Sequence, residues 1–550
     1  MSTRADVDTG AAGTPETAEV ETVDAVVVGA GFCGLYTVWA LQQRGLTVRG
    51  IEAAPTVGGV WYWNRYPGAR TDTPQEAYRL TFDQRLVEWR YSRKYPEQRE
   101  VLQHLDFAAD TFGIRDRYHF SQRVVSARFD EAESRWTITT DRGRVVRAQY
   151  FITGLGLASE SIRPAFPGAG DYRGRIVYST DWPEEGLDLA GQRVALIGVG
   201  STGVQLAPAI APFVRELTVF QRTPNYVIPS QNPLISDAEH DEMVADYERV
   251  RGLVRSHPVG FPFELSTGRT TAGVDREEVD RVLESLWERG GFAFLYTGFD
   301  DVLIDLEANA LLVDFVQRKI RSIVQDPDVA ARLTPSYPYG AKRPPTSDGY
   351  YETYNRPNVD LVSLREDPIV RFTERGIETQ SGEREFDVVI VATGFDSATG
   401  PFNRIDIRGR GGAALTEHWA GGPSTYLGIA VHDFPNMLMV AGPHSPFANL
   451  PPGAERIGRW VADLVATARR EGAATVEPTR EAEQRWNARI QADGEASPIL
   501  TAGLEVNSAA VGANVAGKAR AFYFFNAGMH AYSAELDAEE QAGYPGFRLV

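Results

Sequence analysis

Apolar runs and helical spacing alternate at two places in the chain, and each place predicts a β-α-β unit. From Asp24 to Glu52, a run of valines is followed by a glycine turn, by apolar residues at helical spacing and by a second apolar run that ends in an acid. From Arg193 to Thr223 the same order recurs, but the last run ends in a base. This alternation predicts an α/β fold with two Rossmann-like dinucleotide-binding domains.

The remaining patterns divide the chain around these two units. The stretch from about 230 to 335 has charged helical periodicity, which predicts a helical insertion in the second unit. A Pro- and Gly-rich linker places a boundary near Arg163. We therefore predict a first unit over residues 22–162, a second over 163–384, and a return to the first over 385–550, beginning with the buried strand pattern in EFDVVIVATGFD. Residues 1–21 are expected to form a disordered leader.

Composition excludes several classes of protein. The 550 residues are 43% apolar and 24% charged, as in ordinary globular enzymes. A net charge of −18 disfavours nucleic acid as a partner, so any bound phosphate needs a local positive site. The chain has no apolar run of membrane-spanning length and no signal peptide pattern, which predicts a cytoplasmic protein without a membrane contact. The single cysteine, Cys33, excludes an internal disulfide and is expected to be a packing residue, and the eight histidines form no recognisable metal-ligand set.

The first glycine turn has the spacing G-x-G-x-x-G, with Gly29, Gly31 and Gly34 at the three positions. Glycine permits the tight turn and lets a diphosphate approach the helix N-terminus. Glu52 closes the following strand, where a carboxylate accepts hydrogen bonds from a ribose diol. The first unit is therefore predicted to bind a dinucleotide with an unphosphorylated ribose.

The second glycine turn differs from the first at the end of its second strand. The candidate phosphate-binding residues of the turn are Gly198, Gly200, Ser201, Thr202 and Gly203. The acid of the first unit is replaced here by Arg222, followed by Thr223. A guanidinium beside a hydroxyl suits the 2′-phosphate of NADP, so we expect NADPH in the second unit.

One segment between the units carries a family resemblance. DYRGRIVYSTDWP resembles the signature F-x-G-x-x-x-H-x-x-x-W-P of the type I Baeyer-Villiger monooxygenases. Tyr172, Gly174, Trp182 and Pro183 occupy signature positions, and Tyr178 replaces the family's histidine. In the family, that histidine acts through the hydrogen-bonding network between the domains. The resemblance, which spans about residues 22–545, implies FAD in the first unit. The replacement of the histidine by Tyr178 predicts that flavin reduction is retained and that its coupling to product formation differs.

Two further segments match family patterns. GGVWYWNRYPGARTD resembles the second fingerprint, which implies that Gly59, Trp61 and Asp72 face the flavin. YPYGAKRPPTSDGYYETYNRPN resembles the segment with the catalytic arginine, which falls on Arg343, with Lys342 beside it. By resemblance, Arg343 lies over the flavin, Asp72 orients it and Lys342 is near the NADP 2′-phosphate. A fixed, always protonated donor suits a developing oxyanion.

Near the C-terminus, VNSAAVGANVAGKARAFYFFNAG resembles a family loop that closes over NADP and the substrate. Ala509 replaces the loop's usual tryptophan. The replacement predicts a looser lid, a wider pocket or a different route to closure.

The resemblance implies that NADPH reduces FAD and that a flavin C4a-peroxide, held beside Arg343, attacks a ketone to give an ester or lactone. The expected substrates are a small apolar ketone and O2. Two alternatives remain: oxygenation of a sulfide or amine, and an uncoupled NADPH oxidase or redox-sensing flavoprotein. Ala509 and Ala510 suggest that the ketone is bulky, whereas the oligomeric state is not indicated by the sequence.

Overall fold

A computed structural model of the chain describes residues 20–265 and 268–550. The predicted leader lies outside the described residues except for Val20 and Glu21, and Glu21 already begins the first strand. No helix in the described parts of the chain is both long and apolar enough to cross a bilayer.

Strands form two large sheets and two small ones. In chain order, the strands β1 to β18 are Glu21–Val28, Val48–Ile51, Tyr118–His119, Val124–Asp130, Arg135–Thr140, Val145–Thr153, Arg175–Tyr178, Arg193–Ile197, Glu216–Gln221, Val359–Ser363, Ile369–Phe372, Gly376–Thr379, Gly382–Glu385, Val388–Val391, Asp406–Arg408, Met437–Met439, Val476–Pro478 and Phe547–Leu549.

Helices cover the sheets and fill the connection between β9 and β10. In chain order, the helices α1 to α17 are Phe32–Gln43, Val60–Trp63, Gln84–Val87, Gln98–Thr111, Ser201–Ile210, Asp237–Ala245, Tyr247–Ser256, Arg276–Arg289, Ala293–Tyr296, Leu306–Ile323, Pro327–Leu333, Tyr350–Thr353, Leu415–His418, Leu450–Arg470, Arg480–Glu495, Pro498–Glu505 and Gly528–Gln541.

The first large sheet has the strand order β15-β4-β5-β6-β1-β2-β3, and β16 also pairs with β6. Strand β1 is parallel to both β2 and β6, so the carboxyl ends of these strands meet at one edge. Helix α1, which follows β1, packs against α14 on one face of the sheet. The first glycine turn therefore lies at the edge where a parallel sheet presents ligand-binding loops.

The second large sheet has the order β10-β9-β8-β14-β7, and every pairing in it is parallel. The described residues between β9 and β10 form α6 to α12 and no strand, which confirms the predicted helical insertion. The overall class is therefore the predicted one: two dinucleotide-binding α/β units with a helical insertion in the second.

The predicted return to the first unit at residue 385 is too early. Strand β14 pairs with β8 and β7 in the second sheet, through Val388 opposite Val194 and Arg175. A four-residue run that is buried on both faces fits either parallel sheet equally well, so its sequence does not reveal which sheet it joins. The chain reaches the first sheet again only at β15.

Candidate active site

The first glycine turn brings α1 against the end of β1. Gly29 has φ +103°, and a Cβ there would lie 2.6 Å from the carbonyl oxygen of Gly154. A Cβ on Gly34 would lie 1.7 Å from the carbonyl oxygen of Gly29. Gly31 is the N-cap of α1, and no side chain caps this helix end. The turn therefore presents the uncapped N-terminus of α1, which is suited to a diphosphate.

Glu52 lies directly after β2, and its carboxylate is buried beside the first turn. Its two oxygens accept hydrogen bonds from the backbone N–H groups of Ala30 and Ala54, both at 2.7 Å. Burial raises the pKa of Glu52, and these hydrogen bonds oppose the rise. Each carboxylate oxygen retains a second acceptor position, so the group is still suited to a ribose hydroxyl.

The second turn repeats this geometry in the second sheet. Gly198 has φ +113°, and a Cβ there would lie 2.3 Å from the carbonyl oxygen of Ala392. A Cβ on Gly203 would lie 1.9 Å from the carbonyl oxygen of Gly198. Gly200 is the N-cap of α5, which begins with Ser201 and has no side-chain cap. A Cβ on Gly200 would meet no described atom within 4 Å, so this helix end is open to a ligand.

Four side chains with cationic or hydroxyl groups converge beyond the end of β9. Arg222 and Thr223 follow the strand directly. Burial, together with Arg222 and Arg365, lowers the pKa of Lys342 to about 8. The Lys342 ammonium donates a hydrogen bond to the Val506 carbonyl at 3.1 Å. Arg365 donates a hydrogen bond to the Thr223 hydroxyl at 3.2 Å. The sequence interpretation identified three of these side chains and missed Arg365.

Arg343 and Asp72, the predicted catalytic pair, meet directly. Arg343 Nη2 lies 2.7 Å from Asp72 Oδ1 and 2.6 Å from Asp72 Oδ2. The guanidinium also lies 5.1 Å from the centre of the Phe292 ring. The Arg343 side chain is 38% exposed and that of Asp72 is 15% exposed, so the carboxylate anchors the guanidinium from the protein side. Asp72 thus holds one side of the guanidinium, and another side is open to solvent.

The second fingerprint loop lies against the first glycine turn and against helix α5, which follows the second turn. A Cβ on Gly59 would lie 3.0 Å from Gly31 Cα in the first turn. At the other end of the loop, Gly68 has φ +84°, and its Cβ would lie 2.8 Å from the carbonyl oxygen of Gln205 in α5. The Tyr66 hydroxyl donates to the Gln205 side-chain oxygen at 2.9 Å. The loop therefore spans the space between the two dinucleotide clefts and carries Asp72 into it.

Trp61, also in this loop, is buried in α2. Its indole N–H donates to the Tyr78 hydroxyl at 3.1 Å, and the two rings are perpendicular. The nearby charge of Arg343 also acts on the Tyr78 hydroxyl. Trp61 is thus part of the aromatic packing behind the catalytic pair.

An aromatic wall beside Arg343 was not assigned a role from the sequence. Phe261 stacks on Phe263 and Phe292 at 5.1 and 5.2 Å, and Tyr296 lies 5.8 Å from Phe261. Burial raises the pKa of Tyr296 to about 12 and lowers that of the neighbouring His257 to about 4, so both are neutral at pH 7. A run such as GGFAFLY is equally typical of core packing, and only its contact with the catalytic pair distinguishes it.

A small cavity is lined by residues that include Leu157, Ala441, Pro446, Asn449, Leu450 and Phe524. Asn449 connects this cavity to the catalytic pair, because its side-chain oxygen accepts a hydrogen bond from the Thr73 hydroxyl at 2.6 Å. Its amide nitrogen donates to the Gly260 carbonyl at 2.8 Å, next to the aromatic wall. Cavity, catalytic pair and aromatic wall therefore adjoin one another.

The predicted lid segment is docked through two side chains, Lys518 and Asn514. The ammonium of Lys518 lies 2.5 Å from Asp396 Oδ1 and 2.6 Å from the Ser397 carbonyl. The amide nitrogen of Asn514 donates to the Phe395 carbonyl at 2.9 Å. Ala509 begins a 3-10 turn and is exposed. The segment is thus held against the residues that follow β14.

Tyr178, which stands in place of the signature histidine, ends β7. The Arg163 guanidinium lies 4.6 Å from the centre of the Tyr178 ring. Arg163 also pairs with Asp181 at 2.6 Å. A positive charge is therefore present at this position, although it belongs to the linker and not to residue 178.

The single cysteine and one cluster of possible metal ligands are assigned no part in this site. Cys33 is buried, and burial raises the pKa of its thiol to about 12, as expected for a packing residue. Within the described residues, one group could hold a metal ion: His432, Asp433 and Glu477. Arg410 pairs with Glu477 at 2.8 Å and neutralises much of the charge that would attract a cation. The sequence did not reveal this cluster because Glu477 lies 44 residues beyond Asp433.

Comparison with known proteins places this geometry in a family. A family model described as pyridine nucleotide-disulphide oxidoreductase matches residues 23–282. A Baeyer-Villiger monooxygenase of Pseudooceanicola batsensis is 43% identical over 95% of both chains. The phenazine N-monooxygenase PhzNO1 of Lysobacter antibioticus is 40% identical over 96% of this chain and 97% of its own.

A solved structure is also similar to nearly the whole chain. Cyclohexanone monooxygenase from Rhodococcus sp. Phi1, bound to NADP⁺, has a TM-score of 0.94 and 41% identity and covers 96% of this chain and 99% of its own. This chain belongs to the Baeyer-Villiger monooxygenase family.

Proposed function

We propose that this protein is an FAD- and NADPH-dependent monooxygenase that inserts one oxygen atom of O2 next to a ketone carbonyl. The product is an ester or a lactone. The observation that carries the proposal is the contact between Arg343 and Asp72 at 2.6 Å, in a loop that reaches both dinucleotide clefts. Ketone, O2, NADPH and a proton give ester, water and NADP⁺, which balances atoms and electrons.

The residues present fit both cofactors. In the first cleft, we assign the FAD diphosphate to Gly29, Gly31 and Gly34 and the ribose to Glu52. A Cβ on Gly29 or Gly34 would clash with a backbone carbonyl, and Gly31 is the uncapped N-cap of α1. Gly59 and Trp61 are assigned to the flavin side of the same cleft.

In the second cleft, we assign the NADPH diphosphate to the open N-terminus of α5, at Gly198, Gly200, Ser201, Thr202 and Gly203. We assign the 2′-phosphate to Arg222, Thr223 and Lys342. An anion there would balance the positive charges that act on the Lys342 ammonium. The two clefts thus differ in charge in the way that FAD and NADPH differ.

When bound and reduced, the flavin supplies the activation of O2. The contribution of the chain is positioning and electrostatics. The Arg343 guanidinium offers N–H donors on the open side of the pair. There it would stabilise the negative charge that develops on oxygen during attack on a carbonyl. Asp72 holds the orientation of the guanidinium, and the aromatic wall excludes water.

Oxygenation of a soft heteroatom is a second candidate, and one observation favours it. The phenazine N-monooxygenase matches nearly the whole chain at 40% identity. The stacked rings of Phe261 and Phe292 could also hold a planar aromatic heterocycle. An amine or sulfide needs no stabilised oxyanion, so this activity would depend less on Arg343.

The test supplies the FAD-loaded enzyme with NADPH and ¹⁸O2. The panel contains cyclic, aromatic and steroidal ketones, a thioether and a phenazine, with mass detection of one added ¹⁸O atom. We expect an ¹⁸O-labelled ester or lactone from at least one ketone. Labelled sulfoxide or N-oxide without any ester would replace the ketone proposal with the second candidate. NADPH consumption that ends entirely as hydrogen peroxide would favour an oxidase.

A further inference from the structure

Three cationic side chains, Arg222, Lys342 and Arg365, converge at the carboxyl edge of the second sheet. Both guanidinium groups act on the Lys342 ammonium. Among the residues that the structure describes, no carboxylate lies within 4.0 Å of any of the three charged groups. Carboxylates outnumber basic residues 74 to 56 in this chain, so an uncompensated cluster of cations is unusual and is suited to an anion.

We propose that Arg365 is a further specificity-determining residue, which completes the NADPH 2′-phosphate pocket and positions the Thr223 hydroxyl within it. The inference rests on the proposed function and extends it, because it adds to the pocket a residue that no sequence motif identifies.

The topology of the second sheet explains why Arg365 is there. Strand β10 lies beside β9 in parallel register, with Ser363 opposite Gln221. The Leu364 backbone N–H continues the pairing by donating to the Gln221 carbonyl at 2.7 Å. The residues that follow the two strands therefore emerge side by side, which brings Arg365 next to Arg222.

The hydrogen bond from Arg365 to Thr223 gives the arginine a specific task. A hydroxyl has one donor hydrogen and two acceptor positions. Because Arg365 Nη2 donates to Thr223 Oγ1 at 3.2 Å, one acceptor position is occupied and the hydroxyl hydrogen is free to turn elsewhere. Phosphate oxygens at this edge would accept that hydrogen as well as hydrogen bonds from the guanidinium groups. Arg365 thus acts both through its own charge and through the orientation of Thr223.

The experiment compares NADP⁺ with NAD⁺, which differ only in the 2′-phosphate. Dissociation constants are measured by calorimetry on the FAD-loaded enzyme, the R365Q variant and a matched control, R371Q. Arg371 is an exposed arginine of the same unit that pairs with Glu378 at 2.6 Å. We expect R365Q to weaken NADP⁺ binding roughly tenfold, the scale of one charge-assisted hydrogen bond, and to leave NAD⁺ binding within about twofold. R371Q should change neither.

Two further variants test the specific mechanism. R365K keeps the charge without the planar fork and should recover part of the NADP⁺ affinity. In a T223V background, the R365Q change should weaken NADP⁺ binding less than it does alone, because part of its effect passes through the hydroxyl. Flavin absorbance and melting temperature establish that each variant is folded and loaded.

The results distinguish a failure of the Arg365 role from a failure of the NADPH assignment. Unchanged NADP⁺ affinity in R365Q, or an equal loss for NADP⁺ and NAD⁺, overturns the role of Arg365. If the unmodified enzyme itself binds NAD⁺ as well as NADP⁺, then the NADPH assignment in the proposed function fails, and the present inference fails with it. Normal discrimination with an inert Arg365 leaves the proposed function intact.

Discussion

Asp72 and Arg343 are 271 residues apart in the sequence, yet their side chains meet at 2.6 Å. Asp72 belongs to the loop that lies against the first glycine turn, whereas Arg343 lies between the helical insertion and β10. The contact therefore joins elements of both dinucleotide-binding units. The relative placement of the two units determines where the guanidinium points.

Replacing Arg343 with lysine separates oxygen insertion from flavin reduction. We expect product formation to fall by about 10²- to 10³-fold, the usual effect of removing one fixed donor to an oxyanion. The rate of NADPH-dependent flavin reduction should change by less than about tenfold, because the cofactor clefts keep their other contacts. Stopped-flow absorbance measures reduction, and mass spectrometry measures product.

The matched control is Arg70→Lys, in the same loop as Asp72, where the arginine pairs with Glu97 at 3.3 Å. It should behave as the parent enzyme does. Ester formation by the Arg343→Lys variant at more than about a tenth of the parent rate would contradict a catalytic role for this guanidinium.

The affinity for NADP⁺ should depend on pH through Lys342. With a pKa of about 8, lowered by burial and by Arg222 and Arg365, the free protein carries the charged ammonium below pH 8 and loses it above. Affinity should therefore rise as the 2′-phosphate ionises near pH 6, stay constant to about pH 8 and then fall. Titrations from pH 5.5 to 9.5 measure this profile.

Replacing Lys342 with methionine should remove the decline above pH 8 and lower the affinity at pH 7. Lys319→Met, at a lysine that pairs with Glu284, serves as the control and should keep the profile. A decline above pH 8 that persists in Lys342→Met would assign the titration to another group.

The residue at position 178 should control the peroxide fraction, which is the share of NADPH oxidation that yields hydrogen peroxide instead of oxygenated product. Tyr178→His places an imidazole under the Arg163 guanidinium, which now lies 4.6 Å from the tyrosine ring. We expect the peroxide fraction to change by at least about twofold while flavin reduction is retained, since Tyr178 ends β7 and belongs to neither glycine turn. A peroxide assay with parallel NADPH absorbance gives the ratio.

Arg163→Gln, which removes the charge, should shift the peroxide fraction as well. Arg173→Gln, at an exposed arginine that pairs with Glu374, should not. Identical peroxide fractions in all four proteins would show that this position has no influence on coupling.

Breaking the Lys518–Asp396 pair should loosen the lid segment. The Lys518 side chain is largely buried, so Lys518→Met leaves a partly buried carboxylate without its partner. We expect faster amide hydrogen exchange across residues 507–518 and NADP⁺ release that is roughly tenfold faster. Arg520→Gln, at an exposed arginine two residues away, is the control. Unaltered exchange in Lys518→Met would mean that the lid is held by other contacts.

Local patterns were sufficient to predict both β-α-β units, because each is built from contiguous residues whose spacing reflects the structure directly. Arg222 could be identified in the same way, since it lies at the end of a strand in such a unit. Strand β14 was assigned to the wrong sheet because four buried apolar residues carry no information about their neighbours. Arg365 was missed for a related reason: its place depends on β10 lying beside β9, and the two strands are more than a hundred residues apart.

The second fingerprint loop also limits how the chain can vary in length. Its two ends are fixed by close backbone contacts, at Gly59 against Gly31 and at Gly68 against Gln205. Most connections between elements accommodate extra residues at small cost. Here an added or deleted residue would carry Asp72 away from Arg343. With the two cofactors in the clefts proposed above, this short segment would be the spacer that sets the distance between electron donor and electron acceptor.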